Sequence, residues 1–127
     1  MIEIQQIDHL VLTVTDIPAT LVFYTQVLGM RAITFGEGRH ALSFGRQKIN
    51  LHQADQAFEP KAAQALPGSA DLCLLTETAI EQVMAHLKAL DIEIIEGPVK
   101  RTGASGALLS VYIRDPDANL LEISNRI

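Results

Sequence analysis

One pattern, a strand and a helix followed by three strands, occurs twice in this chain of 127 residues. Two copies are too few, and their period too long, for a solenoid, so the copies are expected to pair. In the first, residues 7–14 read as a strand. Asp16 and Pro18 then open a helix whose apolar positions Leu21, Tyr24, Val27 and Leu28 recur at helical spacing, and Gly29 stops it. Residues 31–35, 40–44 and 48–52 follow as strands, with turn chemistry at Gly36-Glu37-Gly38 and Gly45-Arg46-Gln47. Residues 58–68, with Pro60, Pro67 and Gly68, read as a connection. The second copy restarts with a strand at 70–75, and Thr78-Ala79-Ile80-Glu81 predicts a capping box at the head of a helix through Val83, Leu87 and Leu90. Strands are predicted at 92–96, 108–114 and 119–124, the last two joined by Asp115-Pro116-Asp117-Ala118 as a type I turn. The copies differ chiefly where the turn at 36–38 is replaced by a loop over 97–106, a place where binding specificity tends to be added.

The expected fold is α+β: two βαβββ modules forming a cupped, half-barrel mixed sheet with helices on the outer face. A chain of this length buries roughly two-thirds of its unfolded surface, enough for one domain. Module one spans about 5–57, the connection 58–68 and module two about 69–127. The composition, 48% apolar and 20% charged, is that of a soluble globular protein. A net charge of −5 is the wrong sign for neutralising phosphates, which argues against nucleic acid as a partner. No apolar run approaches the roughly 18 to 20 residues that cross a bilayer, so no membrane partner is expected. A single cysteine, Cys73, and a start without a basic or long apolar stretch point to the cytoplasm.

Strand side chains alternate between faces. In 7–14, Leu10, Leu12 and Val14 oppose His9, Val11 and Thr13; in 48–52, Ile49 and Leu51 oppose Lys48, Asn50 and His52. In 70–75, Leu72 and Leu74 oppose Asp71, Cys73 and Leu75; in 119–124, Leu121 and Ile123 oppose Leu120, Glu122 and Ser124. One face of each strand suits a helix, and the other puts His9, His52, Asp71 and Glu122 where a fully buried sheet would want aliphatic residues. Aligning the repeats lays His9 over Asp71 and His52 over Glu122, so that pairing would bring four donors toward one axis. Two imidazoles and two carboxylates suit divalent Zn, Ni, Co, Mn or Fe, with two positions open to water or to neighbouring substrate oxygens. His40 and His86 are read as structural, and Cys73 as a wall residue.

The duplication, the opening Ile7-Asp8-His9-Leu10-Val11-Leu12, the helix segment Phe23-Tyr24-Thr25-Gln26-Val27-Leu28-Gly29-Met30 and the closing Asp115-Pro116-Asp117-Ala118-Asn119-Leu120-Leu121-Glu122 together resemble the vicinal oxygen chelate superfamily. Residues 44–52 and 67–74 are similar to the glyoxalase domain-containing protein 5 group. The resemblance implies paired modules, a homodimer and metal ligands at His9, His52, Asp71 and Glu122. It also implies a small-molecule substrate and a metal-dependent lyase or isomerase of glyoxalase type, with Glu122 or Asp71 as base. Thr13, Lys48, Asn50 and Ser110 would orient substrate, while Arg101, Ser105 and Arg114 lie in or beyond the long loop. Bacterial glyoxalase I differs in carrying Glu where His52 stands, His where Asp71 stands and Arg where Thr13 stands. The alternatives are a non-catalytic, resistance-type binding module and an Fe(II)-dependent dioxygenase.

Overall fold

The computed structural model describes residues 1–56 and 58–127. The chain divides into two compact units, Met1–Pro67 and Gly68–Ile127. The first holds β1 (His9–Val14), α1 (Ile17–Gln26), β2 (Arg31–Phe35), β3 (Arg39–Phe44) and β4 (Gln47–Gln53). The second holds β5 (Asp71–Leu75), α2 (Ile80–Ala89), β6 (Glu96–Gly103), β7 (Gly106–Arg114) and β8 (Leu120–Arg126). Each unit is therefore βαβββ, and the expected α+β class and duplicated module are observed. The sheets share one topology, β1-β4-β3-β2 and β5-β8-β7-β6, with the first pair parallel and the other pairs antiparallel.

Alternation builds each core. In the first unit Leu12, Val14, Leu42, Ile49 and Leu51 are buried on one sheet face, and α1 packs against β2, β3 and β4 with Tyr24 fully buried. In the second, Val111, Ile113, Leu121 and Ile123 are buried, and α2 contributes Ile80 and Leu87. Each such aliphatic side chain stabilises its unit by roughly 1.5–3 kcal/mol. No helix of the described residues is long and apolar enough to cross a membrane.

The helices are capped by different means. Asp16 caps α1 locally, accepting from the Ala19 N–H at 3.0 Å, and Pro18 occupies the first turn. The capping box expected at 78–81 does not form. The helix starts one residue later than that motif requires, with Ala79 at the cap position. Its first-turn Ile80 N–H donates instead to Asn125 Oδ1 at 2.8 Å, and Asn125 Nδ2 donates to the carbonyls of Thr76 and Thr78. A side chain 45 residues downstream thus supplies what the local motif was expected to supply.

The second correction concerns 92–106. Residues 92–95 are not a strand, and most of the expected loop is β6, paired with β7 from Glu96 opposite Tyr112 to Gly103 opposite Gly106, with a bulge between Glu96 and Val99. Pro98 is tolerated because β6 is an edge strand. Gly97 takes φ +113°, and a Cβ there would come within 2.5 Å of the Ser110 carbonyl oxygen, so only glycine lets β6 lie this close to β7. The turn at 115–118 closes as expected: Ala118 N–H donates to Asp115 O at 2.9 Å. The Asp115 carboxylate also accepts from the Asp117 and Asn119 N–H groups and from Asn119 Nδ2.

Candidate functional site

Each module turns one sheet face to its helix and leaves the other uncovered by it. On the first module's open face, His9 pairs in register with Lys48, Val11 with Asn50 and Thr13 with His52. On the second, Asp71 pairs with Leu120, Cys73 with Glu122 and Leu75 with Ser124. β7 adds Tyr112 opposite Glu122 and Ser110 opposite Ser124. His9 and Asp71 each begin the first strand of their module and are counterparts, as the repeat alignment expects.

The ladders shift the other half of that alignment. Counting along register from His9 and Asp71, the counterpart of Glu122 is Asn50, and the counterpart of His52 is Ser124. Asp71 and Glu122 stand two residues apart along neighbouring strands, roughly 7 Å in that direction, whereas His9 and His52 stand four apart, roughly 13 Å. Among the described residues, no three His, Cys, Asp or Glu side chains gather as a metal-holding group.

The second module's face carries a continuous hydrogen-bonded chain. Ser110 Oγ donates to Glu122 Oε2 at 2.6 Å and lies 2.7 Å from Ser124 Oγ, which in turn lies 3.4 Å from Cys73 Sγ. Ser110 and Ser124 are fully buried, so these hydroxyls hold the half-buried carboxylate in place where water does not. Arg101 Nε donates to the Tyr112 hydroxyl at 2.9 Å, and its Nη2 pairs with the Glu96 carboxylate. Burial, opposed by Arg101 and reinforced by the Glu122 charge, raises the Tyr112 phenol above its ordinary value. Burial and Glu122 together push the Cys73 thiol up against the Ser124 hydrogen bond, so it stays protonated. Beside this chain lies a cavity of about 560 Å³, walled by Cys73, Leu75, Glu122, Arg126 and the 101–108 hairpin, which includes Ser105.

The first module's face is cationic and aromatic. Lys48 Nζ sits 3.9 Å from the centroid of the Phe35 ring, Arg39 Cζ sits 4.6 Å from the same ring and 4.7 Å from Phe58, and the His52 and Phe58 rings lie 4.7 Å apart. Burial first, then the Arg39 charge, lowers the His52 imidazole below its ordinary value. Asn50 Oδ1 and His52 Nε2 are buried without a hydrogen-bond partner. At the start of β1 the exposed His9 has its Nδ1 2.8 Å from the Asp8 carboxylate.

The remaining candidates sort by face. Thr13 shares the open face opposite His52, whereas His40 pairs with Leu51 on the helix-facing side. Arg114 Nη1 donates to the Ala118 carbonyl at 3.2 Å, a turn contact. His86 lies on α2. Sequence reasoning missed Tyr112, Arg39, Phe35 and Phe58, and placed Ser124 on the open face without giving it a role. Tyr112 and Ser124 were legible as residues two away from Ser110 and Glu122 on alternating strands, but the aromatic cluster had no such signal.

The profile of the Glyoxalase/Bleomycin resistance protein/Dioxygenase superfamily matches residues 6–123. The chain belongs to this superfamily. A relative within reach of this glyoxalase-type chain is the virulence protein STM3117 of Salmonella typhimurium, 57% identical over 124 residues, which are 98% of this chain and 86% of that one. The crystal structure of that protein matches with a TM-score of 0.97 at 56% identity, covering 99% of this chain and 100% of the other. A glyoxalase domain-containing protein, RDO1, of Mycosarcoma maydis is 52% identical over 98% of this chain and 70% of its own length. A lactoylglutathione lyase of Agrobacterium tumefaciens, 23% identical with a TM-score of 0.71 over 94% of this chain and 92% of that one, shares the fold.

Proposed function

We propose that this chain is a metal-dependent lyase or isomerase of glyoxalase type, of the glyoxalase domain-containing protein 5 group, working as a cytoplasmic homodimer on a small substrate that offers two neighbouring oxygens. The observation that carries the reading is Glu122: a half-buried carboxylate fixed by Ser110 at 2.6 Å on the wall of a cavity of about 560 Å³, with Asp71 on the adjoining strand of the same face. The superfamily and the glyoxalase domain-containing relative support it.

The donor chemistry fits a divalent cation. An imidazole whose Nδ1–H is taken by a carboxylate, as His9 is by Asp8 at 2.8 Å, presents its Nε2 lone pair as a ligand. Asp71 and Glu122, two residues apart along neighbouring strands of one face, would hold the cation, Zn, Ni, Co, Mn or Fe, with His9 as the imidazole that the superfamily resemblance adds. When bound, it supplies a charge that offsets negative charge developing on two adjacent substrate oxygens. His52, four residues along from His9, stays with the first module's own face.

The protein side of the chemistry then follows. Glu122, or Asp71 if displaced from the cation, takes the proton from the substrate carbon. Ser110 and Ser124 fix the Glu122 carboxylate plane, so no reorientation is needed during the transfer. Tyr112 keeps its proton and remains a hydrogen-bond donor beside Glu122. Cys73 stays a protonated wall residue and not a nucleophile. Leu75, Leu108 and Ile127 give the cavity its apolar share.

The test is turnover of hemithioacetals by protein loaded in turn with each of the five cations. Activity with at least one, reduced roughly 10²–10⁴-fold by Glu122→Gln, is expected. Absence of turnover with all five would refute the lyase reading, and oxygen uptake with Fe(II) alone would replace it with the dioxygenase.

A further inference from the structure

On the second module's open face Ser110, Glu122 and Ser124 bond one another, whereas on the first module's open face Asn50 Oδ1 and His52 Nε2 are buried without a hydrogen-bond partner among the described residues. Lys48 and Arg39 both stack on Phe35, yet among the described residues neither has a carboxylate within ion-pair distance. In a chain with five more acids than bases, two cations gathered on one ring without a counter-ion mark a place where an anion is expected. Lys48, Asn50 and His52 alternate along β4 and therefore project to one side of the sheet. Asn50 is only 5% exposed, and its Oδ1, like His52 Nε2, is buried and unpartnered. Each such atom costs roughly 1–3 kcal/mol unless something arrives to bond it.

We propose that the open face of the first module binds a small carboxylate carrying a hydroxyl group. The carboxylate lies against Arg39 and Lys48. The Phe35 and Phe58 ring centroids lie 4.6 and 4.7 Å from Arg39 Cζ, and a guanidinium's N–H fork matches a planar acid. A metal ion is disfavoured there, because the same two cations repel it. Asn50 Oδ1 can only accept, so the ligand brings a donor, and a hydroxyl beside the acid supplies it. This site needs no cation and stands or falls apart from the reading of Glu122.

The experiment titrates the intact, metal-stripped chain with mandelate, phenylacetate and inorganic phosphate by calorimetry. Mandelate is expected to saturate one site per chain, with phenylacetate, which lacks only the hydroxyl, at least about tenfold weaker. Arg39→Gln and Lys48→Met, the latter at a half-exposed position, should each weaken mandelate by roughly tenfold or more while thermal unfolding stays near wild type. Equal binding of phenylacetate, equal or tighter binding of phosphate, or mandelate affinity unchanged in a folded Lys48→Met variant would each overturn the proposal.

Discussion

Two modules of one topology carry opposite kinds of face. In the second, an acid is held by hydroxyls that already bond it, Ser110 and Ser124 on Glu122, with Tyr112 opposite it in register. In the first, among the described residues, Arg39 and Lys48 meet aromatic rings but no carboxylate, and Asn50 Oδ1 and His52 Nε2 have no hydrogen-bond partner. A satisfied network holds a reacting group still, and an unsatisfied one stores the incentive to bind. Gene-level duplication of a fold therefore need not duplicate its chemistry, because register positions such as Asn50 and Glu122 are free to diverge once the buried faces are fixed.

The largest test of this contrast is a pair of substitutions. Ser110→Ala strands the Glu122 carboxylate and Ser124 in a buried setting, and should cost about 1–3 kcal/mol by denaturant unfolding and lower divalent-cation affinity about 10–100-fold. Asn50→Leu removes an acceptor that has no partner, and should leave stability unchanged or slightly raised. Equal losses in both would erase the distinction.

Next in size are the helix caps. Asn125 serves one N–H and two carbonyls at the head of α2, whereas Asp16 accepts from one N–H of α1. Asn125→Ala should cost about 2 kcal/mol and Asp16→Ala about 1 kcal/mol, read from thermal unfolding. Smaller again is Ala118→Gly. Ala118 sits at φ +65°, a region that glycine occupies without penalty, and the relief less the added freedom of the unfolded chain should net about 0.5 kcal/mol of stabilisation.

The pH limits should also differ by module. His52 titrates below its ordinary 6.5 in the folded protein, so the unfolded chain binds the extra proton first. Its contribution is present above about pH 6.5 and is lost as pH falls toward the folded value. Tyr112 titrates above its ordinary 10.0, so its contribution is present below about pH 10 and is lost as pH rises through the folded value. Unfolding curves of His52→Phe should flatten the acid limb alone, and those of Tyr112→Phe the alkaline limb alone.

Much of the architecture was legible because one physical rule, alternation against a helix, wrote itself into β1, β4, β5 and β8. β6 was not, since Gly97, Pro98 and Gly103 read as breakers and only its place at a sheet edge lets them pair. The cap of α2 was invisible because its donor and acceptor lie 45 residues apart. The match of His52 to Glu122 went astray for a definite reason: a two-residue slip keeps every side chain on its face, so parity cannot detect it, and only the ladder can.

The central claim is the proposal that Asp71 and Glu122 hold one divalent cation, joined by His9 as the superfamily resemblance implies. Calorimetric titration of metal-stripped protein with Mn(II) and Zn(II) tests it most directly. One cation per chain is predicted, with His9→Ala, Asp71→Asn and Glu122→Gln each weakening binding at least about tenfold and His52→Gln leaving it unchanged. Wild-type affinity in the first three variants, or loss confined to His52→Gln, would contradict the account.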